Sequence, residues 1–140
     1  MTADPDDGPE TLLEEARRVH DSAYAPYSGF RVAAALEAED GRIFSGVNVE
    51  NASSPVGMCA ERVALGTAVS AGARSFRRLA LVTSGNRSAS PCGMCRQALA
   101  EFGTELVIWS EAADGSVESW SLAELLPEVF RRGDGEGSRA

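Results

Sequence analysis

The three cysteines of this chain fall in two short motifs that lie far apart in the sequence. Cys59 stands in the run SSPVGMCAERVAL, whereas Cys92 and Cys95 stand in SPCGMCRQAL. Cys92 and Cys95 are three positions apart, which places both side chains on one face of a helical turn. An odd number of cysteines cannot form a complete set of disulfides, and thiols at this spacing are typical zinc ligands. The two motifs therefore predict a fold that brings Cys59 next to the later pair around one metal ion.

A zinc ion held by three sulfurs keeps one coordination position open for water, as in catalytic zinc sites. Glu61 follows Cys59 by two positions, and at the N-terminal end of a helix both side chains can converge beyond its tip. We therefore predict that Glu61 carries a proton between this water and a substrate. Arg62 and Arg96 directly follow Glu61 and Cys95, and we expect them to offset the negative charge of three thiolates.

Other interpretations of these residues stay open on the sequence alone. The cysteines could be ordinary buried thiols, or the zinc could be purely structural, although that role lacks a fourth ligand. Glu61 could merely favour the start of a helix through its charge. Arg62 and Arg96 could be plain surface arginines, since all 13 basic side chains of the chain are arginine.

The charge and length of the chain limit its partners. Its 140 residues fit one domain with a real core, and a formal net charge of −8 disfavours nucleic acid, whose binding depends on neutralising phosphates. A small neutral substrate fits this charge better. No run of about 18 apolar residues is present and the first residues are acidic, so we expect neither a membrane span nor a signal peptide. Free thiols that hold metal are typical of a reducing compartment, which predicts a cytoplasmic protein.

The first third of the chain predicts a helix followed by a β-hairpin. Thr11 and Glu14 have the spacing of a capping box, and apolar residues at helical spacing continue to about Tyr24. Residues 30–37 alternate between apolar and other side chains and so predict a strand, which an Asp-Gly turn joins to a second strand over residues 42–49.

The rest of the chain predicts helices that alternate with strands. We expect a helix after Cys59 that stops at Gly72, then a buried strand over 79–83, and then a helix after Cys92 that stops at Gly103. A buried strand over 105–109 and an edge strand over 117–120 should follow. A capping box of Ser121 and Glu124 predicts a short final helix. This order predicts an α/β fold, a three-layer α/β/α sandwich with a mixed sheet of roughly five strands. We expect one domain over residues 10–130, a disordered segment over residues 1–9 and a flexible tail over residues 131–140.

Five motifs in this order resemble the small zinc-dependent cytidine deaminases: YSGFRVAAAL, DGRIFSGVNVEN, CAER, SPCGMCRQ and ELLPEVF. The match covers about residues 11–130, and Cys59 as first ligand is similar to the three-cysteine form of the family. The resemblance implies one zinc ion per subunit, and hydrolytic deamination of free cytidine and deoxycytidine to uridine and deoxyuridine plus ammonia, a reaction of pyrimidine salvage. In this reaction activated water attacks C4 of the ring, while Glu61 protonates N3 and then the departing ammonia. The resemblance also implies a homotetramer with composite active sites.

The same resemblance implies which residues bind the substrate. Phe30 would stack near the base, the backbone of Ala60 would contact the base, and Asn48 and Glu50 would hydrogen-bond the ribose 3′-hydroxyl. Phe130 matches an aromatic residue that lines the pocket of a neighbouring subunit. Read without the family, Phe30 and Phe130 could be core residues, and Asn48 and Glu50 could cap N–H groups of a loop.

The chain departs from the family at two places. Ser54 stands where a tyrosine is common, and Arg31 with Ala33 stands where Pro-x-Gly is frequent. We expect the first departure to alter an intersubunit contact or the sugar pocket, and the second to change only the strand.

Three rival functions stay open at this point. The nearest is a deaminase of a nucleoside antibiotic such as blasticidin S, which shares a similar zinc core and strand, although Glu50 and Asn51 favour a ribonucleoside. A polynucleotide deaminase is disfavoured by the charge. A non-catalytic, zinc-stabilised interaction module would keep the cysteines, but it would not need Glu61.

Overall fold

The structure, a computed structural model, describes residues 8–133, which form a mixed sheet with helices on both faces. The strands are β1 (Val32–Ala38), β2 (Ile43–Val47), β3 (Phe76–Thr83), β4 (Val107–Glu111) and β5 (Val117–Ser121), and the helices are α1 (Glu10–Val19), α2 (Ala60–Ser70), α3 (Gly93–Ala100) and α4 (Leu122–Leu125). The sheet order is β2-β1-β3-β4-β5. Only the β3–β4 pairing within this sheet is parallel. The predicted fold class is confirmed.

Strand β1 lies inside the sheet, and both of its faces are covered. Ala33 and Ala35 face α1, where they pack in one cluster with Leu12, Leu13 and Ala16. Ala34 and Leu36 belong to the larger core cluster on the opposite face, which α2 and α3 cover. Because alanine is small, both helical layers can approach the sheet closely.

Gly46 sets how closely α2 lies against β2. A Cβ atom built on Gly46 would lie 2.5 Å from the backbone N of Ala64 and 2.8 Å from the carbonyl oxygen of Ala60. Any side chain at this position would therefore push α2 away from the sheet. Because Cys59 and Glu61 stand at the start of this helix, Gly46 fixes where they lie.

Helix α1 differs from the prediction at both ends. Pro9 is its N-cap residue and no side chain caps it, so the predicted capping box of Thr11 and Glu14 is wrong. The carbonyl oxygen of Pro9 already accepts a hydrogen bond from Leu13 N, which places Thr11 inside the first turn. The helix ends at Val19 rather than near Tyr24, and a 3₁₀ turn follows it. The Tyr24 N–H instead donates to the carbonyl oxygen of Asn48, an interaction that a continuing helix would prevent.

Two strand predictions are also corrected. Strand β1 begins at Val32, not at Phe30, because Phe30 belongs to the loop that precedes it. The strand predicted as buried over residues 105–109 begins at Val107, whose side chain is 38% exposed. Helix α1 packs on β1, β2 and β3, so β4 is only partly covered on that face.

The remaining elements agree with the sequence. The predicted hairpin, edge strand and capping box of Ser121 and Glu124 are all confirmed. Among residues 8–133, no helix combines the length and the apolar character that crossing a bilayer requires. The segments predicted to be disordered lie mainly outside this range, so those two expectations stay predictions.

Candidate active site and metal centre

Two helix N-termini meet on the face of the sheet opposite α1 and carry the three cysteines. Cys59 is the N-cap residue of α2, Cys92 is the N-cap residue of α3, and Cys95 lies in the first turn of α3. The free N–H groups and the positive end of the helix dipole at such positions favour the thiolate form of cysteine. The two helix N-termini therefore place the cysteines where the metal-binding thiolate form is favoured.

The spacing of the three sulfur atoms fits zinc. All three Sγ atoms lie within 4.8 Å of one another, and those of Cys59 and Cys92 are 3.8 Å apart. Four ligands arranged tetrahedrally at a Zn–S distance of about 2.3 Å place neighbouring sulfurs about 3.8 Å apart. Over residues 8–133 this is the single group of three or more potential metal ligands from His, Cys, Asp or Glu. The described residues therefore offer three ligands in one group, one fewer than a tetrahedral zinc ion takes.

The cluster is already biased towards negative charge. The thiol of Cys95 hydrogen-bonds to the sulfur of Cys59, and together with Cys92 and the charge of Arg62 this lowers the pKa of Cys59 to about 5. The same hydrogen bond raises the pKa of Cys95, because Cys95 provides the shared proton. Arg62 Nη1 lies 3.6 Å from Cys95 Sγ and Nη2 donates to the carbonyl oxygen of Gly57, 3.2 Å away. An anionic cluster with one neighbouring arginine has the charge that a divalent cation requires.

Glu61 is buried beside this cluster, with 5% of its surface exposed. Burial raises the pKa of its carboxyl group to about 7, and the nearby negative charge of Cys59 adds to the effect. A carboxyl group whose pKa is near neutral can both accept and return a proton at physiological pH. Glu61 therefore has the environment of a general acid/base. A glutamate that only stabilised the start of a helix through its charge would not need this burial.

Arg96 takes a different position from Arg62. Its Nε donates to the carbonyl oxygen of Pro91 (2.7 Å), its Nη2 to Ser90 Oγ (3.0 Å) and its Nη1 to the carbonyl oxygen of Leu125 (2.9 Å). These bonds hold the loop before Cys92 and connect it to α4. Arg96 thus orients the second cysteine motif, whereas the sequence predicts that it lies against the thiolates.

A cavity of about 750 Å³ opens beside the cluster, within the size range of small-molecule sites. Within the described chain, its wall contains most of the predicted site residues and lacks Cys95, Arg96 and Phe130. The predicted residues that line it are Phe30, Asn48, Glu50, Cys59, Ala60, Glu61, Arg62 and Cys92. Phe130 lies elsewhere with 71% of its surface exposed, and its carbonyl oxygen accepts a hydrogen bond from Gln97.

Glu50 and Asn48 line this cavity and also hold the loop before β1. Glu50 Oε1 accepts hydrogen bonds from the backbone N–H groups of Tyr27 and Ser28, and Oε2 accepts one from the Ser28 hydroxyl. These bonds lower the pKa of Glu50, so the carboxylate is ionised at neutral pH. Asn48 Oδ1 accepts from Val32 N at 2.9 Å and Nδ2 donates to the carbonyl oxygen of Phe30 at 2.8 Å. Both side chains keep further hydrogen-bonding capacity, since a carboxylate has about four acceptor positions and an amide NH₂ has two donors.

Sequence reasoning missed several residues of this wall, among them Ser28, Met58 and Met94. Ser28 joins Glu50 to the backbone of Phe30, because its hydroxyl also accepts a hydrogen bond from Phe30 N. Met58 and Met94 are large apolar residues at the cavity, 44% and 65% exposed. The sequence signal for Ser28 was its place in an irregular loop between a helix and a strand, where a short hydroxyl side chain often bonds to the backbone.

The fold and the site together define a small α/β metalloprotein with a three-cysteine centre beside a ligand cavity. Residues 7–111 match the family model described as "Cytidine and deoxycytidylate deaminase zinc-binding region". The chain therefore belongs to the cytidine deaminase family of zinc enzymes, and the prediction of zinc is confirmed.

Individual relatives agree with this assignment. A cytidine deaminase of Sporosarcina psychrophila is 44% identical over 126 residues, which cover 89% of this chain and 93% of the relative. A cytidine deaminase of Halalkalibacterium halodurans is 39% identical, covering 89% of this chain and 96% of the relative. The crystal structure of cytidine deaminase from Burkholderia pseudomallei superposes with a TM-score of 0.83 at 42% identity, over 89% of this chain and 100% of that one.

Proposed function

We propose that this protein hydrolyses the exocyclic amine of free cytidine and deoxycytidine, giving uridine or deoxyuridine and ammonia. The observation that carries the proposal is the position of Glu61, a buried carboxyl group that shares one cavity wall with the cysteine cluster and with Phe30 and Glu50. A proton carrier, a metal centre and polar groups suited to a sugar therefore face the same space.

Each side chain has a defined part in this reaction. Zinc, when bound to the three thiolates, lowers the pKa of water from about 16 towards about 7. Glu61 takes up the proton that this water loses and delivers it to ring N3. It then takes the remaining proton from the hydroxyl group added at C4 and passes it to the amine, so that C4 becomes a carbonyl as ammonia leaves. The Arg62 guanidinium offsets part of the thiolate charge through its contact with Cys95. Arg96 keeps the loop before Cys92 in place.

The sugar side of the cavity supports a free nucleoside. The ionised Glu50 carboxylate and the Asn48 amide can bind the ribose 3′-hydroxyl, while Phe30 offers an aromatic surface to the base and the backbone of Ala60 a polar contact. Among the described lining residues, Arg62 is the only basic one, and it already contacts Cys95 and Gly57. A 5′-phosphate would therefore have no unengaged cation at this wall, which favours cytidine over CMP.

One assay tests the proposal. Zinc-loaded protein is incubated separately with cytidine, deoxycytidine, CMP, cytosine and blasticidin S, and amine loss is followed by the change in ultraviolet absorbance. We expect turnover of cytidine and deoxycytidine and none for the Glu61→Gln variant. Turnover of blasticidin S alone would identify an antibiotic deaminase. No turnover by fully zinc-loaded protein would favour a non-catalytic module.

We also propose a homotetramer with composite active sites, in a reducing compartment such as the cytoplasm. The support is a set of exposed apolar side chains at and beside the cavity: Tyr27, Val56, Met58 and Met94. Phe130, which lies away from this cavity, is also exposed, and the resemblance assigns it to a neighbour's pocket. Large exposed apolar patches are typical of protein interfaces. Sedimentation of a monomer at micromolar concentration would contradict the assembly.

A further inference from the structure

The ring of Phe30 rests against a glycine of another loop. Phe30 lines the cavity and is 38% exposed, so its ring position determines part of the surface that a ligand meets. A Cβ atom built on Gly85 would lie 2.8 Å from Cε1 and 3.6 Å from Cδ1 of this ring. Real Cβ atoms do not approach a carbon that closely, because repulsion rises steeply inside van der Waals contact. The ring therefore occupies space that only a glycine at position 85 leaves free.

The backbone on both sides of this contact is fixed. Phe30 N donates to Ser28 Oγ, and the Phe30 carbonyl oxygen accepts from Asn48 Nδ2. The neighbouring Arg31 exchanges hydrogen bonds with Ser84, at 2.9 Å and 3.0 Å. The Gly85 carbonyl oxygen accepts from Ala113 N at 2.9 Å. Because these hydrogen bonds hold both loops in place, an added methyl group would displace the Phe30 ring and would not separate the loops.

The conformation of Gly85 itself does not demand glycine. Its φ angle lies outside the positive range that five other glycines adopt in the described chain. The next atom that an added Cβ would approach is the carbonyl oxygen of Arg87, at an ordinary 3.7 Å. The ring of Phe30 is thus the one close obstacle to a side chain at position 85 among these neighbours.

We propose that Gly85 is a positioning residue for substrate binding, which seats the Phe30 ring on the cavity wall where it meets the cytosine base. This inference rests on the proposed function, since it takes a nucleoside as the ligand. Gly85→Ala moves the ring and weakens its contact with the base, while the zinc centre stays intact. The effect is on binding, because the atoms nearest to the added methyl group belong to Phe30 and Arg87, and not to Cys59 or Glu61.

The test compares Gly85→Ala, Phe30→Ala and the double variant with the wild type, with Gly66→Ala as control. A Cβ at Gly66, on an exposed turn of α2, meets nothing within 4 Å. We expect Gly85→Ala to raise KM for cytidine about two- to tenfold, the range of an aromatic contact, with kcat and zinc content nearly unchanged. Its melting temperature should stay within about 2 °C of the wild type, as for a mild surface change. Gly66→Ala should leave KM unchanged.

The double variant separates the proposed role from a general structural effect. In the Phe30→Ala background the ring is gone, so Gly85→Ala should have no further effect on KM. An unchanged KM in Gly85→Ala, or the same increase with and without the ring, would overturn the proposal. A large loss of stability that persists without the ring would do so too, because the backbone would then be the obstacle. Failure of the wild type to deaminate cytidine would refute both this inference and the proposed function, whereas an active wild type with an unaffected Gly85→Ala variant refutes this inference alone.

Discussion

The Sγ atoms of Cys59 and Cys92 lie 3.8 Å apart, although the two residues are separated by 33 positions in the sequence. The contact exists because α2 and α3 begin at the same place on one face of the sheet. Three thiols in such a position repel one another once ionised, and a divalent cation removes that repulsion. The metal centre therefore connects two parts of the chain that are otherwise distant in sequence.

Cys92→Ser should release zinc. A serine hydroxyl stays protonated at neutral pH and is a poor zinc ligand, so we expect the zinc affinity to fall by more than the roughly 10- to 100-fold that loss of an outer hydrogen-bond partner causes. Competition with a chelator, followed by metal analysis, measures the change. Met94→Leu, which lies between the two cysteines of α3 and is exposed, is the matched control and should keep its zinc. Stoichiometric, tightly held zinc in Cys92→Ser would remove Cys92 from the ligand set.

Glu61→Gln should keep its zinc and lose most of its turnover. The amide has nearly the same shape as the carboxyl group but cannot carry the proton, and general acid/base groups contribute about 10²- to 10⁴-fold to rates. Steady-state kinetics with cytidine and metal analysis on the same sample check both statements. Glu105→Gln, at an exposed position, serves as the control for loss of one carboxylate. Activity near the wild-type value in Glu61→Gln would exclude Glu61 as the proton carrier.

The sequence was sufficient to predict the metal centre, but it did not predict the contacts of the residues around that centre. The cysteine spacing and the order of helices and strands are local patterns, so both the cluster and the mixed sheet could be predicted. The hydrogen bonds from Tyr27 and Ser28 to Glu50 depend on how an irregular loop folds, and no periodic pattern reports that. For the same reason the side chain of Arg96 could not be placed from its neighbour in sequence, because its partners are oxygen atoms of Ser90 and Pro91 in an irregular loop and of Leu125, 29 positions away.

The start of α1 shows a second limit of local patterns. Thr11 and Glu14 have the spacing of a capping box, yet the helix begins one residue before Thr11, at Glu10. Spacing alone cannot determine which residue takes the cap when proline precedes the pair, since proline is well tolerated at helix starts. At α4 no such competitor precedes Ser121, and the same motif forms the capping box there.

Glu50→Gln should reduce discrimination for the sugar 3′-hydroxyl. A hydrogen bond to a charged group is stronger than one between neutral groups, so we expect the wild type to prefer cytidine over 3′-deoxycytidine by about ten- to a hundredfold in kcat/KM. Glu50→Gln loses most of this preference, because the neutral amide accepts more weakly. Zinc content should not change. A wild type that handles both nucleosides equally would contradict the assignment of Glu50 to the sugar.

The stability that Glu50 provides should depend on pH in the acidic range. Hydrogen bonds from Ser28 and from Tyr27 N lower the pKa of Glu50 below its ordinary value of 4.5 in the folded protein. A carboxyl group of this kind stabilises the fold above its unfolded pKa, and the contribution is lost as pH falls through the folded pKa. The melting temperatures of metal-free wild type and metal-free Glu50→Gln should therefore differ at pH 7 and converge below pH 4.5. A difference that is constant over this range would show that the carboxylate charge plays no part in holding the loop.

Gly46→Ala should weaken zinc binding from a distance. The added methyl group would lie 2.5 Å from Ala64 N and 2.8 Å from the Ala60 carbonyl oxygen, and these are backbone atoms of α2 that cannot rotate away. Helix α2 must therefore shift, which we expect to reduce the free energy of unfolding by about 1–3 kcal/mol, as overpacking does. The shift also moves Cys59 relative to Cys92, so the zinc affinity should fall although no ligand is changed.

The matched control is Gly66→Ala, which adds a methyl group to the same helix without a neighbour within 4 Å. It should stabilise the protein by up to about 1 kcal/mol and leave the zinc affinity unchanged. If Gly46→Ala binds zinc as tightly as Gly66→Ala, the close approach of β2 and α2 does not position the metal centre.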